Sequence, residues 1–272
     1  MDLTIQSKSI SNLTQIWIFF AAHFCLFQFL LNYLPRYSKV YQSIPLHQQA
    51  STVIRILSSF HATIATILSL CLVYFDKDLN DNKLLYSSFA ISFTLNFSIG
   101  YLAFDMLIML MHRAEFEWFF AVHHFVSIVA FYCCSTAGVF PYIALCRLIS
   151  EGSTPFLNNR WFLLTINQKD SKLYKINGIF LIVVFTLVRI VQMIPNWLIF
   201  FESMNTLEWS SIEMKYKIVC VGSCVPLDIL NLYWFSKIIK IVYKTVCGSK
   251  SKQKPVSKSI HELKETGDLK SD

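Results

Sequence analysis

Seven long apolar runs, separated by short polar loops, dominate the pattern of hydrophobic and polar positions along this chain. A helix needs about 20 residues, at a rise of about 1.5 Å each, to cross the ~30 Å hydrocarbon core of a bilayer. The pattern therefore predicts an all-α fold, a polytopic membrane helical bundle with about seven transmembrane helices. The runs are Ile16–Leu34, Thr52–Phe75, Tyr86–Met111, Trp118–Ala137, Tyr142–Thr165, Gly178–Phe201 and Tyr216–Val242.

The polar segments outside these runs predict the domain organisation. Residues 1–15 are expected to be a short N-terminal tail, residues 16–245 the transmembrane region, and residues 246–272 a basic, disordered cytosolic tail rich in serine and lysine. Two prolines are expected to shape the helices, since proline lacks the N–H of a helical hydrogen bond. Pro35 is expected to end the first helix, and Pro155 to kink the fifth.

Composition and charge agree with a membrane protein. The 272 residues are 54% hydrophobic and 15% charged, against about 25% charged in a typical soluble domain. The net charge of +7 does not indicate nucleic acid, because many of the lysines follow the last apolar run, where they set topology and attract anionic lipid. We therefore expect membrane lipids, and no nucleic acid, as partners.

Lysine and arginine also predict the orientation. They are in excess after the first run, after the fifth run and in the C-terminal tail. Seven spans place all three regions on the cytosolic side, with the N-terminus outside and the C-terminus in the cytosol. Seven of the eight cysteines lie inside apolar runs without the spacing of a zinc site or a disulfide framework. The sequence predicts no metal and no cofactor.

Charged and titratable residues inside the runs are the candidate functional residues, since such groups are costly in a bilayer and need a partner or a purpose. Asp105, His123 and His124 come out at a similar depth near the cytosolic side, with His61 deeper. These four residues and Asn158 are expected to meet in one polar chamber open to the cytosolic leaflet. The fifth run adds Arg147, Glu151, Pro155 and Asn158, spaced to lie along one helix face.

Each of these residues also has a purely structural interpretation. Arg147 and Glu151, four residues apart, are equally consistent with a buried ion pair that fixes helix packing. A single buried histidine such as His61 more often makes an interhelical hydrogen bond. Adjacent helical residues point about 100° apart, so His123 and His124 cannot share one packing contact. One of them is a candidate base or nucleophile and the other a positioning group, with the assignment left open.

Three stretches together resemble the TLC-domain family: Gly100-Tyr101 with Asp105, the pair His123-His124, and the segment from Glu151 to Trp161. The resemblance covers residues 46–245, and the last stretch is similar to the branch called TLC domain-containing protein 4. It implies a multi-pass protein, often of the endoplasmic reticulum, that is concerned with membrane lipid composition. Ceramide synthases of this family transfer a fatty acyl group from acyl-CoA to a sphingoid amine, and their essential paired histidines match His123 and His124.

The chain departs from the ceramide-synthase signature after the paired histidines, where it carries Glu151-Gly-Ser-Thr-Pro155. This departure weighs against N-acyl transfer. The leading hypothesis is therefore a protein that binds or modifies lipid and contributes to membrane lipid homeostasis. The alternatives are an acyltransferase with acyl-CoA as co-substrate, and a non-catalytic lipid or cargo receptor. The candidate catalytic residues are His123, His124 and Asp105. The candidates for substrate binding are His61, Glu151, Asn158 and Arg147. A homo-oligomer is compatible with each hypothesis.

Overall fold

The computed structural model describes the backbone of residues 2–112 and 116–247 and the side chains of residues 11–112 and 116–243. The chain divides into two compact units, Met1–Phe235 and Ser236–Asp272. Residues 248–272, which are most of the tail predicted for residues 246–272, lie outside the described residues. The helices are Asp2–Tyr37 (α1), Lys39–Gln42 (α2), Leu46–Phe75 (α3), Lys77–Asp81 (α4), Phe89–Met111 (α5), Trp118–Ala137 (α6), Pro141–Ile149 (α7), Thr154–Thr165 (α8), Lys172–Phe185 (α9), Met193–Ser203 (α10), Leu207–Ser211 (α11) and Met214–Cys247 (α12).

The described part of the chain contains six continuous helical segments long and apolar enough to cross a membrane. They confirm the all-α membrane bundle, and the predicted number of about seven is close. The six segments are Ser11–Tyr37, Leu46–Phe75, Phe89–Met111, Trp118–Ala137, Lys172–Ser203 and Met214–Tyr243. The fifth apolar run differs from the others because it is divided between α7 and α8, each too short to cross a bilayer alone.

A 3₁₀ segment, Ser150–Ser153, separates α7 from α8. Pro155 follows it in the first turn of α8. Backbone N–H groups in the first turn have no acceptor within the helix, so the N–H that proline lacks is not missed there. The serine hydroxyls of the segment donate to backbone carbonyls, Ser150 to Arg147 at 2.6 Å and Ser153 to Ser150 at 3.2 Å. The helix therefore changes its geometry before the proline.

The first helix is longer than its apolar run. It begins at Asp2 rather than at Ile16, and it continues through Pro35 to Tyr37, so the prediction that Pro35 ends it was wrong. A proline removes only its own N–H from the helix. The Ser38 N–H still donates to the Leu34 carbonyl at 3.0 Å, which completes the turn beyond the proline.

Helix α5 lies at the centre of the bundle. In its apolar stretch of 18 residues, 67% of the residues are buried, whereas the figure is 11–33% in the other five long segments. Helix α1 packs closely against it at Gly100, where a β-carbon would lie 2.6 Å from the Phe19 Cβ. One turn away, the buried Asn96 amide donates to the side-chain oxygens of Asn12 at 3.0 Å and of Gln15 at 3.1 Å. Small residues and interhelical hydrogen bonds hold membrane helices together, and both act on this pair.

Candidate functional site

The geometry of the histidine site

Helices α5 and α6 bring Asp105 and His124 into contact. The His124 Nε2 lies 3.0 Å from the Asp105 Oδ2, and both side chains are largely buried. The other ring nitrogen, Nδ1, lies 2.6 Å from the Phe120 carbonyl oxygen. A carbonyl oxygen only accepts hydrogen bonds, so Nδ1 donates, and one further proton is held between Nε2 and the carboxyl group. Both nitrogens of His124 are therefore engaged by fixed partners.

The neighbouring His123 has a different environment. Its ring lies at 84° to that of His124 and 5.6 Å, edge to face, from the Trp234 ring. Its Nδ1 is buried and has no hydrogen-bond partner among the described residues. Successive positions on α6 thus give one histidine that is fully hydrogen-bonded and one that offers a ring nitrogen to a ligand.

His61 on α3 is buried at 1% exposure and stacks on Tyr101, with the ring centroids 4.0 Å apart and the planes at 11°. Neither of its ring nitrogens has a hydrogen-bond partner in the part of the chain that the structure describes. The interhelical hydrogen bond favoured for this residue from the sequence was wrong. Aromatic stacking fixes the ring, and its polar atoms find no hydrogen-bond partner among the described residues.

Arg147 pairs with Asp228 of α12 and not with Glu151, so the ion pair suggested by their four-residue spacing was wrong. The Arg147 Nη1 contacts the Asp228 Oδ1, and Nη2 lies 3.2 Å from Oδ2. The Trp197 indole donates to the same Oδ2 at 2.8 Å. The Arg147 Nε is buried without a partner among the described residues. The four-residue spacing rule holds for a regular α-helix, but Glu151 lies in the 3₁₀ segment.

Glu151 instead faces Arg189. The Glu151 Oε1 lies 3.7 Å from the Arg189 Nη2, and Oε2 accepts from the Thr154 hydroxyl at 2.9 Å. Arg189 lies in a π-helical segment, Thr186–Val191, between α9 and α10. It is fixed by donation to Ser153 Oγ at 2.9 Å and to Asn231 Oδ1 at 3.0 Å. A second buried pair therefore joins the 3₁₀ segment to two other helices.

Asn158 lies apart from the histidines. It accepts from the Arg55 Nη1 at 3.3 Å, and its own amide donates to the Arg55 carbonyl at 3.2 Å and to the Ser59 hydroxyl at 3.1 Å. Arg55 also lies over the Trp161 ring, with its Cζ 4.5 Å from the ring centroid. These contacts join α8 to α3. Asn158 was expected in the shared chamber, but the structure places it in this helix–helix contact.

A small cavity lies between α3, α5, α6, α7, the 3₁₀ segment and α12. His61, His123, Arg147 and Glu151 were singled out from the sequence, and the structure brings all four to this cavity. Ser150 and Asn231 were missed; the signal for Asn231 is its position three residues after Asp228, on the same face of α12. The polar wall of the cavity consists of His61, His123, Ser127, Arg147, Ser150, Glu151 and Asn231.

Comparison with known proteins

The sequence matches the family model of the TLC domain over residues 52–240, which is more than half of the chain. The chain belongs to the TLC-domain family. This family is membrane-associated and linked to lipid metabolism. Together with the six apolar helical segments of the described residues, family membership makes this chain an integral multi-pass membrane protein.

Relatives within the TLC-domain family confirm the resemblance to TLC domain-containing protein 4. The chain is similar to TLC domain-containing protein 4-B of Danio rerio, with 34% identity over 206 residues, 75% of this chain and 78% of the relative. It is also similar to TLC domain-containing protein 4 of Homo sapiens, with 32% identity over 194 residues, 71% of this chain and 74% of the relative. A protein of Dictyostelium discoideum, TLC domain-containing protein 4 A, shows 25% identity over 215 residues, 72% of this chain and 78% of the relative.

The TLC-domain match contains all seven residues proposed from the sequence as site residues, as well as the partners that the structure adds. Arg189 and Asp228 also lie within the apolar runs, but the sequence analysis assigned neither of them to the site. The structure makes them the counter-ions of Glu151 and Arg147. The candidate site of this TLC-domain chain is thus a cavity with two buried ion pairs in or beside its wall.

Proposed function

We propose that this TLC-domain protein binds or modifies a membrane lipid in the histidine-lined cavity and contributes to lipid homeostasis in the membrane of the endoplasmic reticulum. The observation that carries the proposal is the state of His61 and His123, whose buried nitrogens have no protein partner in the described residues although they line a cavity. A buried polar atom without a hydrogen bond costs about 1–3 kcal/mol. A ligand with hydrogen-bonding groups offsets that cost.

The surroundings of the cavity favour a lipid over a water-soluble ligand. Its walls are helices of a bundle whose outer faces are apolar, so a ligand dissolved in the bilayer reaches it without crossing the membrane. In the proposed orientation the C-terminus is in the cytosol, and the part of the cavity that the histidines line faces the cytosolic leaflet. Lipid headgroups and fatty acyl-CoA are accessible from that side.

Replacing His61 with alanine is expected to reduce lipid capture by about tenfold, because one hydrogen bond of roughly 1.4 kcal/mol to the ligand is lost. The measurement uses the purified full chain in nanodiscs containing photoactivatable phospholipid and fatty acid, with crosslinked peptides identified by mass spectrometry. His23 is the matched control. It is also buried, but its Nδ1 is already bonded to the Phe19 carbonyl at 2.7 Å, and it does not line the cavity. Equal losses in His61→Ala and His23→Ala would indicate that the lipid binds elsewhere.

An acyl-CoA-dependent acyltransferase is the second candidate function, and the different states of the two histidines favour it. His124 is held by Asp105 and by the Phe120 carbonyl, whereas His123 presents a free Nδ1. We assign His123 as the base or acyl-accepting nucleophile and the His124–Asp105 pair as a positioning unit. As a base, His123 takes the proton of the acceptor amine or hydroxyl as that group attacks the thioester carbonyl, and the departing CoA thiolate then takes a proton.

Under this second proposal, His123→Ala is expected to lower acyl transfer at least about 100-fold, the usual contribution of a general base. The assay combines labelled acyl-CoA with sphingoid amines and lysolipids and follows product formation. His47→Ala is the control, since His47 is exposed near the start of α3 and its loss is expected to leave turnover unchanged. Lipid binding without product in any acceptor series would instead support the lipid or cargo receptor.

A further inference from the structure

The corner between α8 and α9 carries a cluster of positive charge. Arg160 lies in the second half of α8, Lys172 and Lys175 lie in the first turn of α9, and that turn contains no acidic residue. The ion pairs of the described residues include none of these three cations. The loop adds Lys169 and a single carboxylate, Asp170, both of them exposed and outside those ion pairs. The corner therefore has an excess of positive charge.

Stacking holds the Arg160 guanidinium in place. Its Cζ lies 4.3 Å from the centroid of the Tyr174 ring, and Tyr174 is itself buried, at 9% exposure. One turn further along α9, a β-carbon at Gly178 would lie only 3.3 Å from the Arg160 Nη1, so glycine leaves the space that the guanidinium occupies. Stacking uses the flat face of a guanidinium, whereas its N–H donors point outward in the plane and remain available to an anion.

Hydrogen bonds fix the two helices that present these charges. The Asn159 amide donates to the Asn177 Oδ1 at 3.0 Å, and the Asn177 amide donates to the Phe156 carbonyl at 2.8 Å. At the start of α9, the Ser171 hydroxyl accepts from the Tyr174 N–H at 3.1 Å and caps the helix. The corner is thus formed before a ligand binds, and binding does not have to order it.

Lys175 lies next to the place that the guanidinium occupies. Residues three apart on a helix are neighbours, with β-carbons about 5–6 Å apart, so Lys175 borders the position of Gly178, over which the Arg160 Nη1 lies. The side chain of Lys175 is exposed, and its flexible stem lets the ammonium reach an anion bound at Arg160. A phosphate group accepts two parallel hydrogen bonds from a guanidinium and a further one from an ammonium.

The surroundings of the corner favour a lipid phosphate over a dissolved one. The membrane-spanning segment Lys172–Ser203 begins here, and α9 exposes the apolar side chains of Ile176 and Ile179 directly beyond its first turn. Exposed apolar side chains of a membrane helix contact acyl chains. Arg160 and Lys175 therefore lie at the depth where the acyl chains of a lipid join its headgroup.

We propose that this corner binds the phosphate group of an anionic phospholipid, with two hydrogen bonds from Arg160 and a third contact from Lys175, while the acyl chains of the lipid lie along the outer face of α9. A phosphatidylcholine headgroup fits less well, because its quaternary ammonium adds positive charge where it is already in excess. In the proposed orientation the corner lies in the cytosolic leaflet, where anionic lipids attract basic residues. Arg160 and Lys175 do not line the histidine cavity, and the inference does not rest on the function proposed for that cavity.

The test measures the lipid that the purified full chain retains in native mass spectrometry after release from phosphatidylcholine nanodiscs with phosphatidic acid or phosphatidylserine as a minor component. We expect the wild type to retain an anionic lipid in preference to phosphatidylcholine. Arg160→Ala is expected to weaken the apparent affinity about tenfold, the usual effect of losing a hydrogen bond to a charged group. Arg160→Lys is expected to weaken it too, since the charge stays but the fork of donors is lost. Gly178→Leu keeps every charge and is expected to weaken binding by filling the place of the guanidinium.

Arg36→Ala is the matched control, because Arg36 is an exposed arginine in the last turn of α1, and its loss is expected to leave retention unchanged. Equal losses in Arg160→Ala and Arg36→Ala would show that only overall charge attracts the lipid, and would overturn the site. Wild-type retention in both Arg160→Lys and Gly178→Leu would overturn it as well, and these two variants decide if Arg160→Ala does not fold.

Two further outcomes concern the ligand itself. Equal retention of phosphatidylcholine and anionic lipid by the wild type would overturn the inference. Displacement of the retained lipid by an equal concentration of inorganic phosphate would assign the site to a dissolved phosphate and overturn the lipid. Neither result alters the crosslinking expected at His61, so failure here is distinguishable from failure of the proposed function.

Discussion

Replacing Asp228 with alanine is expected to destabilise the protein by about 3–5 kcal/mol, the usual cost of removing one partner from a buried ion pair. Arg147 and Asp228 are only 10% and 8% exposed in their side chains, so the remaining guanidinium cannot be hydrated as it would be in water. The Trp197 indole loses its acceptor in the same variant. The measurement is the free energy of unfolding of the purified protein by denaturant in mixed micelles.

The exposed pair between Lys215 and Glu213 is the control for Asp228. Its atoms approach to 2.7 Å, closer than the 3.7 Å of the Glu151–Arg189 pair, but the two side chains are 63% and 64% exposed. Water and salt screen such a pair, and Glu213→Ala is expected to have no measurable effect on stability. Changing both buried partners, Arg147→Met with Asp228→Leu, is expected to restore most of the loss, because no charge is then left unpaired. A double variant as unstable as Asp228→Ala would contradict the ion-pair explanation.

Gly100→Ala is expected to destabilise the protein by about 1–3 kcal/mol, the usual cost of overpacking a close contact. The added carbon would lie 2.8 Å from the Ile16 carbonyl oxygen and 2.9 Å from the Phe20 nitrogen, as well as 2.6 Å from the Phe19 Cβ. Two of these three atoms belong to the backbone, so relief requires α1 to move away from α5. Such a shift also strains the hydrogen bond between Asn96 and Asn12.

Gly222→Ala is the matched substitution, and the expected change has the opposite sign. Gly222 lies inside α12, and nothing is found within 4 Å of the β-carbon it would gain. Alanine is favoured over glycine in a helix interior by about 0.5–1 kcal/mol, so this variant is expected to be more stable than the wild type. The two variants are compared in the same unfolding measurement. Equal effects would show that close packing at Gly100 is not what holds the two helices together.

The sequence predicted the helices better than their breaks. Each apolar residue in a run favours transfer of its own position into the lipid, so a long apolar run identifies a membrane helix. The long helices were therefore recognised, with errors mainly at their ends, as at α1. The division between α7 and α8 is different, because it depends on where serine hydroxyls of the Ser150–Ser153 segment find carbonyl acceptors. A proline predicts a break in its vicinity, but the hydrogen bonds around it decide the place.

The candidate site was predicted in the same uneven way. The energetic cost of charged and titratable groups in a bilayer singled out Asp105, His123 and His124. Their similar depth along the predicted spans placed them in one chamber, and the side chains of Asp105 and His124 do meet, at 3.0 Å. The partner of Arg147 was assigned wrongly, because spacing along one helix says nothing of Asp228 on another. The absence of a hydrogen bond at His61 was also missed, since the sequence does not show which atoms surround a ring.

By itself, the sequence determined the class of this protein, the approximate number and position of its helices, and the residues whose charge or titration needs an explanation inside a membrane. These follow from the free energy of transferring each side chain into hydrocarbon, which is a property of the residue and its neighbours in the chain. The tertiary structure alone decided which charges pair and which histidine nitrogens find no hydrogen-bond partner among the described residues. Those outcomes depend on distances of a few ångströms between helices far apart in sequence, and these distances are set by how the helices pack.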